Sequence, residues 1–322
     1  MVVVKQEKIY NTGDPIRKET KVEIMTVGAV IVTYNPSISD LKSLVDSIEE
    51  SVKVVVIVDN GSNNFSEIKL LEQQYSLVET LPLNENKGIG CAQNRGMEFL
   101  FKDPAIDAVV LFDHDSHPSH DMINVLISDY QNLVLKGCKV AAVGPVFMDP
   151  RTNNLYPIPV FSGFRLKKVY AAKGDVNPVV TSFLIASGSL IPKKIIEEVG
   201  MMNEGFFIDY IDIEWSFRVN DKGYALYTCP AAKMNHQIGD QRMKILGREI
   251  SVHSPIRRYY LARNSVLMIK LKHVNWRYKV REFFYSVTRV VVFITSVDKK
   301  SAYLKYILKG WYDGINGKMG RL

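Results

Sequence analysis

Three cysteines, Cys91, Cys138 and Cys229, are all that this 322-residue sequence holds, far apart and with no CxxC pair. A disulfide framework and a cysteine-built zinc site are thereby excluded, and a reducing, cytoplasmic setting fits best. A long apolar run is missing too. Residues 1–25, carrying Lys5, Glu7, Lys8, Asp14 and Lys21, lack the apolar core of a secretion signal and read as a flexible tail. Near the other end the longest uncharged stretch, 290–297, is too short to cross a bilayer. Glycine is absent from VTYNP (32–36), the stretch that follows the first predicted strand. The fingerprint of a dinucleotide enzyme belongs there, so an NAD-dependent oxidoreductase is disfavoured.

What the sequence does hold is enough apolar surface, 47% of residues, for one large core or a core with a modest C-terminal annex. A disordered or fibrous chain is excluded. The net charge of +7 is concentrated at one end, where residues 270–322 carry 12 lysines and arginines against three acids, Glu282, Asp298 and Asp313. Dense positive charge of this kind meets nucleic acid, anionic lipid or a phosphorylated substrate. The absence of any recognised RNA- or DNA-binding module beside it argues against nucleic acid.

Apolar β-rich runs alternate with helical stretches through the first third: VGAVIVT (27–33), VVVIV (54–58), a weaker run at 77–83 and AVVLF (108–112). Between them, 38–50, 66–74 and 89–101 carry apolar residues at three-to-four spacing, as Leu41, Leu44, Val45 and Ile48 show. This rhythm predicts an α/β fold, a mostly parallel sheet flanked by helices, with ligands gathered at the strands' carboxyl ends. Four polar clusters fall at such ends: Thr33-Tyr34-Asn35, Asp59-Asn60-Gly61-Ser62, the loop 86–90 and Asp113-His114-Asp115.

The loop NKGIG (86–90) runs straight into CAQNRG (91–96), which suits a helix N-terminus approaching phosphate or ribose, or else an ordinary loop with Arg95 exposed. Asp113 and Asp115 end an apolar strand one residue apart, and in extended chain they point to one side while His114 points to the other. Hard oxygen ligands so placed suit Mg²⁺ or Mn²⁺ with diphosphate oxygens completing the shell; the alternative is a solvated turn with Asp115 capping the next helix. His117 and His120, beside Pro118, read as surface residues. In FFIDYIDIEWSFR (206–218), Glu214 and Arg218 stand four apart and support the helix. Asp212, at that helix's start, either caps it or, held ionised by the helix dipole, takes a proton from an attacking hydroxyl.

Together these stretches resemble an inverting family 2 glycosyltransferase of the GT-A fold, particularly its bacterial rhamnosyltransferase branch, from Val27 onward. The resemblance implies a catalytic domain at 26–254, with a nucleotide-binding half to about 115 and an acceptor half after it, and a helical extension at 255–322. VIVTYN (30–35) resembles the family's opening strand, which implies nucleotide-sugar contacts from Thr33, Tyr34 and Asn35. Asp59 in VDNGS matches the base-binding aspartate, with Gly61 beside it, and NKGIGCAQNRG (86–96) implies donor contacts from Lys87, Gly88, Asn94 and Arg95. The DxD motif matches Asp113, near ribose and metal, and Asp115, which holds the metal. YIDIEWSFR (210–218) makes Asp212 the implied base; the family's Glu-Asp pair is Ile211-Asp212 here, with Asp209 the substitute and Trp215 facing the acceptor sugar. His236 in NHQIG (235–239) would complete the metal and diphosphate site. In SPIRRYYLARN (254–264), Arg257, Arg258 and Arg263 either meet a pyrophosphate-linked acceptor or form a solvated helix face.

The reaction so implied moves L-rhamnose from dTDP-L-rhamnose, with Mn²⁺ or Mg²⁺, to an undecaprenyl-diphosphate-linked or polysaccharide acceptor in O-antigen or related cell-surface polysaccharide synthesis. A nucleotide-binding regulator is the alternative in another class, and intact Asp113, Asp115 and Asp212 argue against it. The extension fits a peripheral station on the inner face of the bacterial membrane: 278–297 is apolar with basic flanks, and Tyr303, Tyr306, Ile307 and Trp311 follow at helical spacing suited to the headgroup region. The same helices equally suit packing on the catalytic domain or on a homodimer partner.

Overall fold

The computed structural model describes residues 25–322 except 151, 153, 172–173, 236–241, 246–247, 252–253 and 297–299. The expected tail at 1–25 therefore lies almost wholly outside the described residues, as does His236. The chain runs β1 (Val27–Thr33), α1 (Ile38–Ile48), β2 (Val54–Asp59), α2 (Phe65–Lys69), α3 (Leu71–Gln74), β3 (Val78–Pro82), α4 (Ile89–Leu100) and β4 (Ala108–Asp113). After it come β5 (His117–Pro118), α5 (Met122–Leu135), β6 (Val140–Met148), the hairpin β7 (Ile158–Ser162) and β8 (Arg165–Val169), β9 (Val179–Thr181) and β10 (Leu190–Pro192). The last part comprises α6 (Lys193–Val199), α7 (Ile211–Asp221), β11 (Ala225–Asn235), the pair β12 (Arg242–Ile245) and β13 (Arg248–Ser251), α8 (Pro255–Lys270), α9 (Trp276–Ser296) and α10 (Lys300–Ile315).

The central sheet orders its strands β3-β2-β1-β4-β10-β6-β11-β5, with β9 also on β11. The first four are parallel, as the βαβ rhythm predicts. Beyond β4 the sheet is mixed: β10 runs antiparallel to both β4 and β6, while β6 and β11 are parallel. Strand residues alternate between two cores, Val30, Val32, Val56 and Val58 facing one and Ala29, Ile31, Val55 and Ile57 the other. Helices α1 and α5 cover the second face through Leu41, Leu44, Val45, Ile48 and Leu126. Helices α4, α6 and α7 cover the first, and the C-terminal residues Leu267, Met268, Val274 and Tyr278 belong to that same core.

Ser254 caps α8, its hydroxyl accepting from the Arg257 amide at 3.3 Å, and Pro255 occupies the first turn, where no N–H is needed. Helix α10 lies close against α8, because a Cβ on Gly310 would stand 2.5 Å from the Tyr259 carbonyl oxygen and one on Gly314 2.8 Å from that of Arg263. This packing buries Tyr303 and Ile307, and the Trp311 indole donates to the Ser286 hydroxyl at 3.0 Å. Helix α10 thus packs on its neighbours through the residues expected in a headgroup region. Among the described residues no helix is long and apolar enough to cross a membrane.

Candidate functional site

The carboxyl ends of β1, β2 and β4 open onto a cleft of about 760 Å³, closed on its far side by the 207–213 segment, α8 and α9. Its wall at the strand ends is a set of loops tied to one another. The Thr33 hydroxyl donates to Asp59 Oδ1 at 3.0 Å, and Asp59 Oδ2 accepts from the Gly61 and Ser62 amides at 3.2 and 2.9 Å. Asp59 is buried, so its carboxylate first shapes this turn. The Asn35 amide donates to Ser62 Oγ, and Asn35 Oδ1 accepts from the Asn63 amide. Asn60 reaches across to the third loop, accepting from the Lys87 amide at 2.8 Å and donating to Asn86 Oδ1 at 3.2 Å. Asn60 and Asn86 line the cleft with Thr33, Tyr34 and Gly88; neither stood out in the sequence from the other polar residues of its loop.

Gly88 sits where no other residue fits: its φ is +91° and an added Cβ would lie 2.5 Å from the Phe207 carbonyl oxygen. That same carbonyl accepts from the Ile89 amide at 2.8 Å, so the first turn of α4 is engaged by the protein. Asn94 and Arg95 do not line the cleft. Asn94 is buried and pairs with Met202, its Oδ1 accepting from the Met202 amide and its Nδ2 donating to the Met202 carbonyl, each at 2.9 Å. Arg95 points outward to Glu98 at 2.6 Å. The Lys87 side chain is half-exposed, 3.8 Å from Glu85.

Strand β4 ends at Asp113 and the chain turns at once, so His114 is not turned away: Asp113, His114 and Asp115 all line the cleft. Burial, then the negative charges of Asp115 and Asp212, push the Asp113 carboxyl up to about 7, against the pull of Arg257. Opposite stands a strained segment. Phe207, Asp209 and Tyr210 have φ of 64°, 62° and 67°, a region that non-glycine residues rarely enter. Asn264 of α8, fully buried, holds the turn by donating Nδ2 to the carbonyls of Phe206, Ile208 and Asp209 at 3.0, 2.8 and 3.1 Å. Tyr210 donates its hydroxyl to Glu282 of α9 and accepts from Arg289 at 2.9 Å.

The strained turn delivers two carboxylates with different fates. Asp209 receives the Arg257 guanidinium in a fork, at 3.2 and 3.0 Å. Asp212, in the first turn of α7, accepts from the Ile213 amide at 2.9 Å and forms no ion pair among the described residues. Burial outweighs that helix-terminal N–H and lifts its carboxyl to about 6, with Asp209 adding to the rise. The helix dipole expected to hold Asp212 ionised is therefore overruled by desolvation, although the group is still charged at neutral pH.

Two expected acceptor contacts lie elsewhere. Trp215 is buried beneath α7 and donates its indole N–H to the Gly200 carbonyl at 3.0 Å. Arg263 is wholly buried, giving its guanidinium to the carbonyls of Gly205, Phe206 and Gly320. Arg258 is buried as well, so the arginines of α8 do not form a solvated face. Glu214 and Arg218 pair as expected, at 2.8 Å, with His273 added at 2.8 Å. His117 and His120 are exposed, and His120 meets Glu50.

A family model described as "Glycosyl transferase family 2" matches residues 29–200, more than half of the chain and every strand of that wall. The chain belongs to this family. It is a glycosyltransferase, and it is 36% identical over 294 residues to the dTDP-rhamnosyl transferase RfbF of Shigella flexneri, covering 91% of this chain and 96% of that one. It is also 22% identical over 300 residues to the low-salt glycan biosynthesis hexosyltransferase Agl10 of Haloferax volcanii, covering 91% and 92%. Among solved structures, GalNAc-T7 with UDP, GalNAc and Mn²⁺ superposes with a TM-score of 0.58 at 15% identity, covering 92% of this chain and 56% of that one. S. aureus TarS 1-349 in complex with UDP-GlcNAc gives 0.54 at 12%, covering 88% and 79%. These likenesses show the GT-A fold.

The family 2 match ends at residue 200, whereas the far wall of the cleft in this glycosyltransferase is built after it. Leu261, Tyr278, Arg281, Glu282, Tyr285 and Arg289 line the cleft from α8 and α9. The signal for α9 lay in its spacing: 278, 281, 282, 285 and 289 recur every three to four residues and mark one helix face.

Proposed function

We propose that this glycosyltransferase transfers L-rhamnose from dTDP-L-rhamnose, with inversion, to a lipid-linked oligosaccharide used for O-antigen or a related bacterial surface polysaccharide. The observation that carries the mechanism is the facing of two carboxylate groups across one cleft, Asp113 and Asp115 at the end of β4 and Asp212 at the start of α7. The 36% identity to a dTDP-rhamnosyl transferase over nearly the full length of both chains supports the donor.

Asp113 and Asp115 are hard oxygen donors two residues apart that both line the cleft, and besides burial the negative charge of Asp115 is what raises the Asp113 carboxyl. That donor set fits Mg²⁺ or Mn²⁺, which these two residues would hold, with His236 proposed as a further ligand. When bound, the ion supplies Lewis-acid neutralisation of the charge gathering on the nucleoside diphosphate. Thr33, Tyr34, Asn35, Asp59, Gly61, Lys87 and Gly88 are assigned to the nucleotide side, directly or by shaping its loops.

Asp212 is the base. Its carboxylate takes the proton of the acceptor hydroxyl as that oxygen attacks the anomeric carbon; the bond from that carbon to the diphosphate oxygen breaks, and its electron pair leaves with the diphosphate. Attack opposite the leaving group inverts the anomeric centre in one displacement. Asp209, already neutralised by Arg257, is the weaker candidate for this role and is assigned to orienting the acceptor.

The test is release of free nucleoside diphosphate from a panel of nucleotide sugars including dTDP-L-rhamnose, with Mn²⁺, Mg²⁺ or EDTA, beside Asp115→Ala. Metal-dependent release from dTDP-L-rhamnose, lost in the variant, is expected. Release from another donor alone would refute the sugar, and silence across the panel together with no donor binding by calorimetry would refute the transferase reading of the site.

A further inference from the structure

Helix α9 turns one face to the cleft and another to solvent. On the solvent face Trp276, Val280, Phe283, Phe284 and Val287 recur every three to four residues, each 40–63% exposed. At about 1.5 Å per residue the stripe is roughly 16 Å long. Folding leaves apolar residues singly on surfaces, but a continuous stripe marks a partner.

The β7–β8 hairpin extends this stripe. Phe164 at its turn meets Trp276 edge-on, ring centres 5.3 Å apart, and Leu166, Val169 and Tyr170 are exposed from the two faces of the same hairpin. Between them β8 exposes Arg165, Lys167 and Lys168. No acid faces solvent from either element: β8 has none, and the one acid of α9, Glu282, is buried in the cleft wall. The surface is apolar and aromatic, with cations alone among its charges.

We propose that α9 and the β7–β8 hairpin form a docking surface for an anionic lipid bilayer, with the cleft opening at the headgroup layer. Cations beside exposed aromatic and aliphatic side chains match anionic headgroups over acyl chains. A second copy of this chain is a poorer occupant, because a twofold contact would bring the cationic residues of both copies together. Leu166, Arg281 and Tyr285 belong to both the surface and the cleft wall, so an acceptor anchored in the membrane reaches the cleft without leaving it. The inference rests on the lipid-linked acceptor proposed above.

Flotation of the full-length protein with phosphatidylglycerol–phosphatidylethanolamine vesicles, and with phosphatidylcholine vesicles, tests the surface. Recovery with the anionic vesicles is expected, several-fold weaker with the neutral ones, and reduced at least tenfold by Phe283→Ser with Phe284→Ser or by Arg165→Glu, Lys167→Glu and Lys168→Glu together. Nucleoside diphosphate release in lipid-free buffer should be unchanged in both variants, which reports that they fold. Wild-type protein left in the soluble fraction with both lipids, or a variant floating like wild type, would overturn the proposal. So would a dimer in light scattering that the phenylalanine substitutions dissolve. Release without flotation would sink the docking surface alone, whereas flotation with neither release nor binding of any donor would sink the proposed reading of the cleft and leave the surface standing.

Discussion

Replacing Asp212 by Asn should abolish sugar transfer and at the same time stabilise the protein, and the two effects come from one cause. Burial raises the Asp212 carboxyl from 3.8 to about 6, with Asp209 adding to the rise and the Ile213 amide opposing it. A shift of roughly two units corresponds to about 3 kcal/mol of penalty on the ionised form in the folded state, as an upper bound for a half-buried group. Because the folded-state value is the higher one, stability from this group is fully present below about pH 4 and is lost as pH rises through about 6. The side-chain amide in Asp212→Asn keeps an oxygen to accept from Ile213 and carries no charge. The variant should therefore be more stable than wild type by up to ~3 kcal/mol at pH 7.5 and equal to it near pH 3.5, in metal-free denaturant titrations. With saturating divalent ion, wild-type kcat/KM should fall tenfold per pH unit on the acid limb, as Asp212 is protonated. A folded variant no more stable than wild type at pH 7.5 would refute the desolvation reasoning, and near-normal transfer by it would remove Asp212 from the role of base.

Asn264→Leu leaves the Ile208 and Asp209 carbonyls without their side-chain donor and the Phe206 carbonyl with Arg263 alone, which should cost roughly 2–4 kcal/mol and lower kcat at least tenfold while the donor KM stays within threefold. Recovery of much of that kcat in Asn264→Gln, or a matching rise in donor KM, would separate a positioning role from general damage. Gly88→Ala forces a Cβ against the Phe207 carbonyl at a φ of +91°, so a loss of about 3 kcal/mol and a melting temperature lower by several degrees are expected. An unchanged melting curve would show that the loop relaxes freely.

The half built on β1 to β4 was legible because its signals are local. Strand runs, the helix positions Leu41, Leu44, Val45 and Ile48, and the polar tips after β1, β2 and β4 are each contiguous in sequence, and parallel βαβ topology gathers them at one edge. The opposite wall of the cleft was not, because it is assembled from partners far apart. Arg257 meets Asp209 48 residues away, and Arg289 meets Tyr210 79 residues away. Residue type misled where burial decides. Arg263 and Trp215 carry groups suited to sugar or phosphate, but those groups satisfy backbone carbonyls inside the core. The mixed half of the sheet was equally hidden, since β10 is only three residues long and has no periodicity to read.

The strained 207–210 turn explains why the C-terminal helices are part of the catalytic fold. Three non-glycine residues at positive φ cost of order 1–3 kcal/mol each, too much for a loop to hold unaided in a protein of ordinary stability. The compensation comes from outside the loop. It consists of the amide of Asn264, the guanidinium groups of Arg263 and Arg257, and the Glu282–Tyr210–Arg289 chain, whose charge-assisted bonds are worth about 1.5–3 kcal/mol apiece. Asp212 follows this turn by two residues, so the helix that carries the proposed base starts where α8 and α9 fix the chain. The helix that fixes the turn through Glu282 and Arg289 is also the one whose opposite face is apolar, with the cations of β8 beside it. A lipid surface meeting that face, as proposed, would lie one helix diameter from the residues that fix the turn before Asp212.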